Sequence, residues 1–291
     1  MEPILVEVRR GGTVEAAHRV DAVAVRDGEI VAAAGDPELL TFLRSSAKPF
    51  QALPLAGARD DLDDRDLAIA SASHLARPDQ LDAVRALLAK APAAEDDLEC
   101  GAEPTRIEHN CSGKHAGLLA LCVARGWPKP GYRLADHPVQ QACLEVVAGA
   151  AEITPGEIPA GIDGCGVVTF ALTLERMAHM FARLPALENG ARVAAAMQAH
   201  PDLIRGPGAP DTELMRTHEG WAAKGGAEGL LCASGPDGIG LALKVDDGGN
   251  RAVGPALAAF ADRLGVALPQ LAVASVENSR GERVGDVRAV S

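Results

Sequence analysis

"VEVRRGGTVEAAHRVDAVAVRDGEIVAAAG" (residues 6–35) alternates apolar and polar side chains around glycine-containing turns. A period of two is the signature of a half-buried strand, and the turns between such runs predict antiparallel pairing. The same pattern returns late in the chain. "VVTFALT" (167–173) reads as a strand, "GLLCAS" and "GIGLALKV" joined by "GPDG" read as a hairpin, and "ERVGDVRAV" reads as a closing strand. Helical signals lie between. "PDQLDAVRALLAKA" places Leu81, Val84, Leu87 and Leu88 on one face, and "GKHAGLLALCVARG" groups Leu118, Leu119, Leu121 and Cys122 before a stop at Gly126. "DHPVQQACLEVVAGA" offers Asp136 as N-cap with Pro138 in the first turn, a further helical region runs to about His200, and "PALAAFADRLG" reads as a last helix. Strands at both ends with helices between predict an α+β domain whose termini share one mixed or antiparallel sheet. No repeat or linker divides residues 1–291, so one domain is expected, with a helical subregion at about 60–160.

Composition excludes several functions. A net charge of −12 disfavours nucleic acid and anionic membranes as partners, and 3% aromatic residues leave little for stacking on bases. The acidic runs "RDDLDDRD" (59–66) and "AEDDLE" (94–99) read as solvated loops and helix starts. No stretch reaches the ~18 apolar residues of a membrane span, and "MEPILVEVRRGG" lacks a signal-peptide core. A cytoplasmic protein is expected, with its six cysteines as reduced thiols or metal ligands before disulfides.

"RSSAK" (44–48) carries a serine, Ser45, and a lysine, Lys48, one helical turn apart. If a helix starts near Ser45, both side chains share a face, and the unpaired N–H groups of its first turn favour a developing oxyanion. A buried lysine loses proton affinity and can act as general base. Spacing alone is weak, since serine is a common N-cap. Two later features add to it: Ser73 in "SASH" (71–74), and Lys224 followed by two glycines in "AAKGGAEGLL" (222–231). The order Ser-x-x-Lys, serine, Lys-x-Gly is similar to that of the penicillin-recognising serine hydrolases, although the second and third elements differ in their letters.

"HNCSGKHAG" (109–117) and "GIDGCG" (161–166) hold the densest chemistry, with Cys111, Lys114, His115, Asp163 and Cys165 among glycines. Two thiolates suit zinc, with His115 or a deprotonated Lys114 as a third ligand. A redox-labile Cys111–Cys165 pair and two buried structural thiols are the competing readings. Cys100, Cys122, Cys143 and Cys232 lie in apolar runs and read as core. His18, His137, His179 and His200 read as surface or capping residues.

"RSSAKPFQALPL", "ASASH", "HNCSGKHAGLL", "DHPVQ", "IDGCGVVTFALTL", "KGGAEGLL", "GLALKVDDG" and "NSRGERVGDVR" together, in this order, resemble the asparaginase II family, the inducible class 3 L-asparaginases. The resemblance spans essentially the whole chain. It implies a serine β-lactamase-like fold, L-asparagine as small-molecule substrate and a homodimer. It also implies two Ser–Lys pairs, Ser45 with Lys48 and Ser73 with Lys224, and a zinc site of Cys111, Lys114 and Cys165. His115 and Asp163 would line the pocket, Asp163 holding the substrate's amino group, and Arg44 would support the site electrostatically. The segment "SHLARPDQ" (73–80) departs from the family pattern and puts substrate preference in question. Glutamine or another small amide is the alternative substrate, and a non-catalytic amino-acid or zinc sensor the alternative function.

Overall fold

The computed structural model describes residues 1–290. Residues 6–35 lie within three strands, β1 (Ile4–Arg10), β2 (Thr13–Arg26) and β3 (Glu29–Ala34). The buried positions of β1 alternate as its sequence does, with Ile4, Val6 and Val8 inward. In β2 the alternation gives way to a continuous buried run, Val20–Val25, because that half of the strand has protein on both faces.

After β4 (Leu40–Phe42) the chain leaves the sheet through α1 (Lys48–Ala58), α2 (Asp64–Ala70), α3 (Pro78–Lys90), α4 (Ser112–Arg125) and α5 (Pro138–Ala151). β5 (Ala160–Ile162) and β6 (Val168–Thr173) then pair with each other and with β4 in a small antiparallel sheet. Four helices follow, α6 (Leu174–Arg183), α7 (Gly190–Ala199), the single turn α8 (Pro201–Ile204) and α9 (Pro210–Thr217). The chain returns as β7 (Ala222–Gly225), β8 (Leu230–Ser234), β9 (Ile239–Val245), α10 (Val253–Asp262), β10 (Val273–Glu277) and β11 (Arg283–Ala289). The main sheet runs β10-β11-β1-β2-β9-β8-β7, antiparallel throughout, with β3 on the free half of one edge of β2. First and last strands are neighbours, Val8 facing Val287, so the expected shared sheet is present and the architecture is α+β.

Helix α6 packs across β2, β8 and β9, while α10 packs against β1 and β11. α6 comes so close that a Cβ on Gly240 of β9 would lie 1.9 Å from the Ala178 carbonyl oxygen. Only glycine fits that contact. α1 meets α6 through Phe50 and Phe181, ring centroids 5.0 Å apart, and packs against α4, α5 and α7, drawn together by apolar faces.

Two helix starts differ from expectation. The cap of α5 is His137, not Asp136: Pro138 forces the residue before it into extended backbone (φ −71°, ψ 138°), and the His137 ring nitrogen accepts the Val139 N–H at 3.2 Å. His18, His137 and His179 are all buried; the surface-or-capping reading is met by His137 as a cap and fails for His18 and His179, which pair with Asp247 and Glu152. The helix expected near Ser45 begins at Lys48, preceded by a 3₁₀ turn over Arg44–Ala47. Arg44 has φ +49°, and the N–H of Leu43 is committed to the Phe170 carbonyl of β6, so the chain cannot enter α-helix earlier. The predicted stop at Gly126 holds, with φ +66°. The acidic run at 59–66 does cap a helix: Asp63 and Asp66 form a reciprocal capping box on α2.

Candidate active site

Lys48 is 1% exposed. From the first turn of α1 its amine crosses to the end of α2, where it meets the Ala72 carbonyl, the Ser73 hydroxyl at 2.9 Å and the Cys111 sulfur at 3.2 Å. Ser73 is pinned by its own backbone, whose N–H donates to the Ile204 carbonyl at 2.8 Å. The divergent segment after it is held by Gln80. That buried amide accepts the N–H groups of Leu75 and Arg77 and donates to the carbonyls of Asp202 and Arg205. Gly113 in the first turn of α4 lets that helix reach α2, since a Cβ there would lie 2.2 Å from the Ile69 carbonyl oxygen. This close approach carries Cys111 and Lys114 to Lys48.

The serine–lysine pairing differs from the one the sequence suggests. Among the described residues Lys48 bonds to Ser73, not to Ser45, which sits on the 3₁₀ turn that precedes the helix Lys48 begins. Lys224 does not reach Ser73. Its amine donates to the Gly225 carbonyl at 2.7 Å and lies 3.8 Å from Asp211. Its backbone carbonyl accepts the Ser46 hydroxyl at 2.8 Å, which fastens β7 to the start of α1. Ser45 and Ser73 nevertheless open onto one cavity of about 270 Å³, lined also by Arg205, Asp211, Gly226 and Asn250. The Ser45 hydroxyl has no hydrogen-bond partner among the described residues. That volume falls below the ~300–1,000 Å³ of sites for drug-sized ligands. It suits a small molecule.

Burial lowers the Lys48 amine below its ordinary range, against the opposing pull of Cys111. Burial likewise brings Lys224 down to about 7, against the charge of Asp211. In both, burial disfavours the charged form of the amine.

Behind Lys48 lie the two sulfurs. Cys111 is held well below the ordinary thiol value, chiefly by the hydrogen bond from Cys165, with the charges of Lys48 and Lys114 adding to it. Cys165 is pushed up by that same contact and by burial. Lys114 donates to Cys165 at 2.9 Å, and the sulfur charges outweigh burial to keep its amine protonated. Among the described residues no group of three His, Cys, Asp or Glu side chains is placed to hold a metal. Two sulfurs and the Lys114 amine form a donor set that fits zinc, once the remaining protons are expelled. All six cysteines are free thiols.

His115 does not line the cavity; it is fully buried, with Nδ1 2.6 Å from the Tyr132 hydroxyl and Nε2 without a partner among the described residues. Burial keeps it neutral. His74 is also neutral, lowered to about 4 chiefly by burial, and its Nε2 meets Ser112 at 2.7 Å, away from the reacting groups. Asp163 is occupied. Its Oδ1 accepts both Arg44 Nε and the Gly164 N–H at 2.7 Å, and it is absent from the cavity wall. Arg44 is thereby fixed in its left-handed backbone, with its N–H on the Thr169 hydroxyl at 3.1 Å, and the pair sets the turn that carries Ser45. Arg205 and Asp211 are the polar residues of the cavity that no sequence motif marks.

Residues 6–289 match the family model described as L-asparaginase II. Among curated proteins none matches. Two solved structures are similar at low identity. One is a provisionally assigned beta-lactamase from Bacteroides dorei, at 12% identity and TM-score 0.42, over 89% of this chain and 93% of that one. The other is Mglu in its native form, at 16% identity and TM-score 0.35, over 79% of this chain and 56% of that one. No helix is long and apolar enough to cross a membrane among the described residues.

Proposed function

The chain belongs to the L-asparaginase II family, and from that premise we propose that it hydrolyses the side-chain amide of L-asparagine to L-aspartate and ammonia through a lysine-activated serine. The observation that carries the mechanism is the buried Lys48 amine 2.9 Å from the hydroxyl of Ser73, at the wall of a small polar cavity. Ser73 Oγ attacks the side-chain carbonyl carbon while its proton passes to neutral Lys48. The tetrahedral adduct collapses as the C–N bond breaks, and the leaving nitrogen takes the proton back from Lys48 as ammonia departs. Water then cleaves the β-aspartyl ester, giving one proton to Lys48 and restoring the Ser73 hydroxyl. Lys224, lowered to about 7, is a candidate second proton carrier, next to Asp211 and Gly225 of the cavity wall. Arg44 and Asp163 position the turn, and neither touches substrate.

A second reading makes Ser45 the nucleophile. It is favoured by the unpartnered Ser45 hydroxyl on the same cavity, with Ser73 and Lys48 relaying its proton. Cys111, Cys165 and Lys114 would hold zinc, which when bound supplies a Lewis acid that orients or polarises a substrate group. We carry the homodimer and the cytoplasm forward as parts of this proposal, the first testable by light scattering.

Ammonia release from L-asparagine and L-glutamine by wild type, Ser73→Ala and Ser45→Ala is the deciding experiment. Loss of at least about 10³-fold in kcat for Ser73→Ala, with a β-aspartyl adduct found on the Ser73 peptide of wild type by mass spectrometry, supports the first reading. An adduct on Ser45 moves the nucleophile there. A folded wild type that binds amino acids but hydrolyses neither amide leaves a sensor.

A further inference from the structure

Arg205 follows the single turn α8 and is fixed by its own backbone, whose carbonyl accepts the Gln80 amide at 2.9 Å. Its side chain lines the cavity that Ser45 and Ser73 share, and it is the one cationic side chain on that wall among the described residues. One guanidinium nitrogen donates to the Ser73 carbonyl at 3.3 Å. Unlike Arg44, Arg216 or Arg59, each in a close ion pair with a carboxylate, Arg205 has no acidic partner within salt-bridge reach among the described residues. A half-buried guanidinium with four N–H donors to spare, beside a nucleophile, calls for an anion.

The same cavity also carries the other sign, on Asp211, which has the Lys224 amine 3.8 Å from one oxygen. Asp211 is 3% exposed, and each carboxylate oxygen accepts one backbone N–H, from Thr212 and from Gly225, both at 2.9 Å. Each oxygen keeps a free lone pair. A small cavity lined by a guanidinium, a carboxylate and two serine hydroxyls matches a zwitterion.

Resting on the amidohydrolase reading, we propose that Arg205 receives the α-carboxylate of the substrate, which restricts the site to free amino-acid amides. The carboxylate seats on the guanidinium, whose contact with the Ser73 carbonyl sets the distance from anchor to nucleophile. An asparagine inside a peptide has no free carboxylate and is excluded, as is a simple amide that never had one.

The test compares L-asparagine with 3-aminopropanamide, which lacks only the α-carboxylate, on wild type, Arg205→Gln and Arg205→Lys. Loss of a charge-assisted contact raises KM for L-asparagine in Arg205→Gln by roughly 10- to 100-fold with kcat little changed, and Arg205→Lys recovers part of it. The rate on 3-aminopropanamide stays the same in all three. An equal loss on both substrates, or an unchanged KM for L-asparagine, overturns the anchor and leaves Arg205 as a support for Ser73. Should wild type hydrolyse no amide, the amidohydrolase reading fails by itself. Calorimetric binding of L-aspartate then decides the anchor: affinity that falls in Arg205→Gln supports it, and equal or undetectable binding in both proteins overturns it.

Discussion

Lys48 touches a backbone carbonyl, a hydroxyl and a sulfur with a single amine. Burial strips it of solvent and lowers its proton affinity, and the Cys111 charge beside it limits how far that affinity falls. Lys48→Met keeps the volume and removes the base. It should lower kcat by about 10²- to 10⁴-fold with a smaller effect on KM, measured by ammonia release. The residues with distinctive chemistry were legible: Ser73, Lys48, Cys111, Lys114 and Cys165 stand in motifs, and the structure gathers them. Their pairing was not. Ser73 and Lys48 are 25 residues apart, and only the packing of α1 against α2 turns that separation into contact. Arg205 and Asp211 were invisible because a lone arginine after a proline-led turn and a lone aspartate in a helix start look like any surface charges. Their meaning comes from the cavity between them.

At the scale of the element, strands announced themselves by their period of two, and the long buried run in β2 marked the centre of the sheet. Helix starts depended on neighbours in space. The 3₁₀ turn before α1 follows from β6 holding Leu43, a contact no local pattern contains. The docking of α6 is likewise a matter of one residue. Gly240→Val would drive a side chain into the backbone of Ala178 and Ala182, which cannot yield as a flexible side chain would. The expected cost is about 1–3 kcal/mol or more, read as a lower urea midpoint with an unchanged slope. Because α6 also covers β2 and β8, the loss should loosen the helical side from the sheet and not merely fray a strand end.

For the whole molecule, buried lysines tie stability to pH. Lys224 titrates near 7 in the folded chain and at its ordinary 10.5 when unfolded. Between those values the unfolded chain holds a proton the folded one lacks, so stability rises with pH across the window; below it both forms are protonated and the slope vanishes. Lys224→Met should flatten that rise and gain most at the low end, as urea midpoints at both ends of the window would read. An unchanged slope would mean that Lys224 keeps its proton in the folded chain. The sheet adds a consequence of its own. Ala22 to Val25 of β2 are paired with β3 on one edge and β9 on the other, and their own side chains are all but sealed from water. Paired on both edges, with one irregularity in the β3 register between Ala24 and Val25, the stretch lies inside the sheet, whereas an edge strand leaves alternate amides open. The amide hydrogens of that stretch can trade places with solvent deuterium only when the whole molecule opens, so four residues in the middle of one strand keep time for the unfolding of the entire chain.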